Sequence, residues 1–230
     1  MAQNVEILRN AEAGKDIYVV GSGKSIDYLP DSFWEGKIVI GVNTVPNRVP
    51  CQYLVSHHYK ILQPFIDRGK VKVITSEVEA CIFHCTFAGW TRPTYWYEKL
   101  SGDFYVYEHL NQGYVHINLS VFDRPHTLIT GGSIVTTALH FAYFLGAKNI
   151  VCVGVDGGSL DGEMNYKDYE NPTPALHMSN VSHQLEKMAN AIRERGIPVM
   201  SINPFLNFCN EGHEFKAMPD LMKRPEIVKK

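Results

Sequence analysis

The chain of 230 residues predicts an α/β protein, a mostly parallel sheet with helices on both faces and a long lid loop after a Gly-Val-Asp strand. Three observations carry this. Short runs rich in β-branched residues alternate with segments of helical spacing. Two strand-like runs break into glycine turns, Gly21-Ser22-Gly23-Lys24-Ser25 and Gly131-Gly132-Ser133. A third, residues 149–155, ends in Asp156-Gly157-Gly158.

Residues 16–20 form the first predicted strand and lead into the turn at Gly21–Ser25. A buried strand that ends in paired glycines and enters a helix brings backbone N–H groups up to a phosphate. The helix N-terminus adds partial positive charge. The turn matches only half of two standard motifs. A P-loop needs glycine where Tyr18 stands, and the dinucleotide fingerprint needs glycine where Ile26 stands. The next strand, 37–42, ends in Asn43 rather than in an acidic ribose ligand. These departures argue against P-loop and dehydrogenase chemistry.

Further along, residues 26–34 read as a short helical or turn segment broken by Pro30. Residues 52–55 are the third strand, 58–67 a helix containing Pro64, and 70–75 another strand. Residues 81–118 are dense in aromatics, among them Trp90, Trp96, Phe104, Tyr107 and Tyr114, without a helical period. Short elements packed on the sheet edge are expected there; an aromatic wall over an acceptor site is the sharper reading.

Residues 127–130 are strand-like. Residues 134–145 form a helix with apolar residues over most of its surface, which predicts burial, and Gly146 stops it. Residues 157–178 are polar and aperiodic, as in a functional lid. An amphipathic helix over 179–195 ends at Gly196, and 197–202 is the last strand. In parallel sheets ligands bind outside the carboxyl ends of the strands. Gly21–Ser25, Asn43, Gly131–Ser133 and Asp156 all fall at such ends, so four polar turns are expected around one cleft.

The formal net charge of −2 excludes an electrostatic nucleic-acid binder. Apolar stretches are too short for a membrane span, and MAQNVEILRN has no signal-peptide pattern, so a cytoplasmic location is expected. The five cysteines are scattered. Cys81 and Cys85 flank His84 but fit no standard zinc spacing, so they are read as reduced thiols and no metal site is assigned. Residues 1–230 form one domain, with the lid at about 157–178 and a polar tail at about 210–230.

The string GGSIVTTALHFAYFLGAKNIVCVGVD, with GSGKS before it, resembles the MptE-like family, whose best-described activity is 6-hydroxymethylpterin diphosphokinase. The layout is also similar to that of the bacterial sialyltransferases of glycosyltransferase family 42. Those enzymes carry Gly-Asn-Gly-Pro-Ser after the first strand, an Asn ending the second, Ile-Thr-Ser-Gly before a helix, Gly-Ile-Asp after a strand, a mobile lid and a His-bearing segment. The matching positions are Gly21–Ser25, Asn43, Ile129–Gly132, Gly154-Val155-Asp156, the loop 157–176 and His177. Ser22 and Lys24 stand where those enzymes have Asn and Pro.

The resemblance implies a Rossmann-like, nucleotide-dependent transferase. The favoured activity is sialyltransferase-like glycosyl transfer from a CMP-activated sugar to an acceptor alcohol or glycan in surface-polysaccharide synthesis. One alternative is a diphosphokinase using ATP with Mg²⁺ on Asp156 and Asp161 or Glu163. Another is a nucleotide-binding protein without catalysis.

In the favoured reading Gly21, Ser22, Gly23 and Ser25 face the donor phosphate or ribose, and Asn43 the base or ribose. Lys24 either neutralises phosphate or is an ordinary surface lysine. Thr130, Gly131, Gly132 and Ser133 form a second phosphate cradle. Asp156 binds ribose or Mg²⁺, or else caps a glycine turn. Tyr166 and Tyr169 contact the leaving phosphate, or else are exposed loop tyrosines. His177 is the general base, with His183 as rival. His57 and His58 touch the acceptor. The family implies an oligomer, and Lys223, Arg224, Lys229 and Lys230 allow at most a weak membrane contact.

Overall fold

The computed structural model describes residues 1–77, 97–109, 117, 119–156, 163, 165–169 and 178–202, with backbone alone for 178–182. Among the described residues nine strands form a sheet whose strand pairings are all parallel. They are β1 (Ala2–Asn4), β2 (Asp16–Val20), β3 (Ile38–Val42), β4 (Tyr53–Val55), β5 (Lys72–Ser76), β6 (Phe104–His109), β7 (Thr127–Leu128), β8 (Asn149–Val153) and β9 (Val199–Ser201). The order is β1-β6-β5-β4-β3-β2-β8-β9, with β7 paired to β6.

β2 lies between β3 and β8 and is buried along most of its length. Its run of apolar residues is what a two-sided strand in a parallel sheet requires. Val20 pairs with both Gly41 and Val153, so β2, β3 and β8 end at the same level. Two strands differ from the sequence expectation. β1 has no apolar pattern because it is a short edge strand, exposed at both ends. β6 falls inside the aromatic-rich stretch, where Phe104 and Tyr107 are core residues. The aromatics at 81–96 and Tyr114 lie outside the described residues.

Among the described residues three α-helices cover the faces: α1 (Tyr59–Arg68), α2 (Ile134–Phe144) and α3 (Met178–Glu194). The two faces are told apart by neighbours on β4. Tyr53 meets Phe141 of α2 edge-on at 5.5 Å, while Leu54 packs with Leu62, Phe65 and Ile66 of α1. α3 packs beside α2 and against β9. α2 is buried on nearly all sides, as its composition predicts, and Ser133 Oγ caps it by accepting the Val135 N–H. Pro64 sits on the exposed side of α1, and the helix continues through it.

The segment after the first glycine turn is the short helical stretch broken at Pro30 that its sequence predicts, in 3-10 form. No α-helix follows the Gly21–Ser25 turn. The chain instead forms two 3-10 helices, Lys24–Tyr28 and Asp31–Trp34, separated by extended Leu29 and Pro30. Five residues of 3-10 helix supply little of the macrodipole that a long α-helix would aim at an anion.

Candidate functional site

The chain leaves β2 toward β3 and leaves β8 toward β9, on its other side. This divergence is the topological switch point, where open parallel sheets carry their ligand crevice. The Gly21–Ser25 turn and Asp156 flank it. Three of the turn's N–H groups bond within the chain. Gly21 N–H donates to Val153 O at 2.9 Å and Gly23 N–H to Gly154 O at 2.7 Å. Ser25 N–H donates to Asp156 Oδ2 at 2.8 Å, and Ser25 Oγ–H to Asp156 Oδ1 at 2.5 Å. In this structure the turn aims these donors at the β8 exit rather than outward.

The glycines serve that close approach. A Cβ at Gly23 would lie 2.5 Å from Asp156 Cγ, and one at Gly21 would lie 2.5 Å from Gly154 O. The buried Asp156 carboxylate caps the start of the Lys24–Tyr28 helix. This is the capping role open to it from the sequence, applied to the first glycine turn instead of the second.

Part of the expected lid lies on this turn. Asn165 forms an antiparallel bridge with Gly23. Tyr166 N–H donates to Ser22 O at 2.9 Å, and Asn165 Nδ2 to Ser22 Oγ at 2.9 Å. Lys167 N–H donates to Asp27 Oδ2 at 2.8 Å. Lys24 Nζ lies 2.8 Å from Glu163 Oε2 and 3.1 Å from Asp27 Oδ2. Tyr166 is therefore not an exposed loop residue. It is 6% exposed, with the half-buried Tyr169 ring edge-on at 5.1 Å.

Asn43 adopts a left-handed backbone at φ 51°, uncommon for a residue with a side chain. Its N–H donates to Val55 O, and its Oδ1 accepts from Ser56 Oγ at 2.8 Å. Ser56 Oγ in turn accepts the His58 N–H. Asn43 Nδ2 makes no hydrogen bond among the described residues.

Beside it, the buried Tyr107 hydroxyl and His57 Nε2 share a hydrogen bond, and the His57 and His109 rings lie 5.8 Å apart. Burial drives the His57 pKa well below its usual value, and the neighbouring His109 and His58 add to this. Burial pushes the Tyr107 hydroxyl up and lowers His109 to about 4. The group is thus uncharged at neutral pH. Sequence reading missed Ser56 and His109, and had Tyr107 only as one of many aromatics. The available signal was a polar residue at the carboxyl end of every central strand.

Thr130–Ser133 arrives after β7, on the far side of β6 from β2, so the sheet does not set it beside the Gly21 turn. Its contacts are with α3. Gly132 N–H donates to Gln184 Oε1, and a Cβ at Gly131 would lie 2.7 Å from the same oxygen. The turn is held from below by His140. Ile129 N–H donates to His140 Nδ1 at 2.8 Å, and His140 Nε2–H donates to Phe122 O at 2.8 Å. This needs the neutral ring, and burial holds the His140 pKa at about 4.

His177, Asp161 and the loop 157–162 lie outside the described residues; His183 is exposed on α3. Among the described residues no group of three His, Cys, Asp or Glu is placed to hold a metal ion. No helix among them is long and apolar enough to cross a membrane.

No protein-family model matches the chain, and no curated protein matches it. Solved structures do. The MAf glycosyltransferase from Magnetospirillum magneticum AMB-1 superposes with a TM-score of 0.50 at 16% identity, over 84% of this chain and 33% of that one. This chain therefore spans about a third of that protein's length. The Campylobacter jejuni sialyltransferase CstII, solved with the substrate analogue cytidine-5'-monophosphate, gives 0.47 at 13% identity, over 86% and 84% of the two chains. The monofunctional α-2,3-sialyltransferase Cst-I gives 0.42 at 12%, over 90% and 80%. At such identities the likeness to the first of these shows the α/β fold, not the reaction.

Proposed function

We propose that this chain is a nucleotide-dependent transferase, specifically a sialyltransferase-like glycosyltransferase that takes a CMP-activated sugar and works in surface-polysaccharide synthesis. The carrying observation is the meeting of the Gly21–Ser25 turn, the Tyr166–Tyr169 strap and Asp156 at the β2/β8 switch point, with Asn43 at the end of the adjoining strand β3. The fold shared with a glycosyltransferase and the sequence resemblance to bacterial sialyltransferases support it.

In this reading an acceptor hydroxyl attacks the anomeric carbon. The carbon–oxygen bond to the phosphate breaks, and CMP leaves with the bonding electrons. His177, which immediately precedes α3, takes the acceptor proton. The Tyr166 and Tyr169 hydroxyls donate to the leaving phosphate. Asn43 Nδ2 serves the base or ribose. Ser22 and the turn glycines shape the phosphate side, and Thr130–Ser133 forms a further wall. Asp156 acts through Ser25. His57 and His58 face the acceptor.

A diphosphokinase would need Mg²⁺ on Asp156 with Asp161 or Glu163. Asp156 holds Ser25 and Glu163 holds Lys24, so both carboxylates have other partners, which favours the metal-free reading. Calorimetry and thermal shift with CMP in EDTA, against ATP–Mg²⁺ and a pterin alcohol, test the choice. Binding of CMP without metal is expected. Binding of ATP–Mg²⁺ alone would sink the glycosyltransferase reading.

A further inference from the structure

We infer that Lys24 is a positioning residue that latches the tyrosine-bearing strap to the glycine turn, and is not a phosphate ligand. The lysine of a Gly-Lys-Ser turn invites the phosphate role. Its surroundings assign it elsewhere. The Lys24 ammonium lies between Asp27, on its own 3-10 helix, and Glu163, on the strap. Its side chain is only 15% exposed, so both carboxylates sit inside its hydration shell. Two of its three N–H donors are thus engaged, and a phosphate approaching it would meet two carboxylates.

Asp27 is the second half of the device. Its Oδ2 takes the Lys167 N–H as well as the Lys24 ammonium, so one carboxylate holds both the strap backbone and the latch. Arg48 approaches the other Asp27 oxygen at 4.0 Å and Asp31 at 3.5 Å, so cations flank Asp27 on both sides. Between Glu163 and Lys167 the strap bridges Gly23 and bonds Ser22, which places Tyr166 and Tyr169 over the turn. An ion pair with one exposed partner is weak, so the latch is one that opens readily. The role of the two tyrosines rests on the glycosyltransferase reading; the latch does not.

The test is amide hydrogen exchange on the full-length protein without ligand. The readouts are the Tyr166 and Lys167 amides, which bond Ser22 and Asp27. Lys24→Met is expected to speed their exchange roughly two- to fivefold, and Glu163→Gln to do the same. The double variant should be no faster than Lys24→Met alone, because Lys24→Met already removes the Glu163 pair along with the Asp27 pair. Lys24→Arg should restore slow exchange. Unchanged exchange in Lys24→Met, or additive effects, would overturn the latch.

CMP affinity by calorimetry is the second arm. Lys24→Met and Glu163→Gln should each change it by less than about threefold. A tenfold loss confined to Lys24→Met makes Lys24 a phosphate ligand and overturns the inference. If the wild type binds no CMP, the donor reading fails while the exchange data still decide the latch.

Discussion

Asp156 grips Ser25 with both carboxylate oxygens, one on the backbone N–H and one on the hydroxyl. The contact joins residues 131 positions apart and ties the β2 exit to the β8 exit at the switch point. Replacing Asp156 with Ala leaves a buried N–H and a buried hydroxyl without their acceptor. A loss of about 2–4 kcal/mol is expected, since each such group costs about 1–3 kcal/mol. Asp156→Asn keeps one acceptor and should lose about half as much. Urea unfolding measures both. An Asp156→Ala protein as stable as wild type would mean that the carboxylate is kept for a ligand instead.

Gly23→Ala tests the same junction sterically. The added Cβ would meet Asp156 Cγ at 2.5 Å and Gly154 O at 2.6 Å, and a backbone oxygen cannot swing away. The two loops must separate, at a cost of about 1–3 kcal/mol. CMP affinity should fall with stability. A substitution that weakens neither would show the turn to be slack.

Gln184→Leu probes the second glycine turn. It removes the acceptor of Gly132 N–H while keeping similar bulk beside Gly131. About 1–2 kcal/mol should be lost. If the turn contributes to donor binding, Gln184→Glu, which keeps an acceptor, should retain affinity that Gln184→Leu loses. Equal affinities in the two variants would remove Thr130–Ser133 from the site.

Acid should unfold this protein before its carboxylates protonate. Three histidines, His57, His109 and His140, are buried neutral with depressed pKa values, chiefly through burial. Unfolding returns each to about 6.5, so the unfolded chain binds more protons. Their contribution is full above about pH 6.5 and is lost as pH falls toward about 4. For His140 alone that drop is about 3 kcal/mol. Urea unfolding at pH 7, 6 and 5 should show the decline. In His140→Asn the slope should be shallower; an unchanged slope would place the titrating group elsewhere.

Much of the framework was legible in residue pattern. β2, β3, β4, β5 and β8 stand within two residues of the predicted strands, because strands buried on both faces are runs of Val and Ile. Gly146 and Gly196, at φ 82° and 83°, end α2 and α3 as expected, since only glycine takes that backbone without strain. β1 was illegible because a three-residue edge strand needs backbone partners and no apolar face. β6 was hidden by aromatics that match no single period. α1, predicted over 58–67 in spite of Pro64, stands at Tyr59–Arg68.

For the site, the chain by itself determined which turns fall at strand ends, and the paired glycines, Asn43 and Asp156 were all visible there. It could not determine what those groups bond. Asp156 reaches Ser25, Lys24 reaches Glu163, Tyr107 reaches His57 and Gln184 reaches Gly132 across 131, 139, 50 and 52 positions respectively. Such pairings exist only once β2 and β8 lie side by side and α3 packs on α2. Local pattern records the backbone conformation a residue prefers; the partner of a buried polar group is set by which distant segment the fold brings within about 3 Å of it.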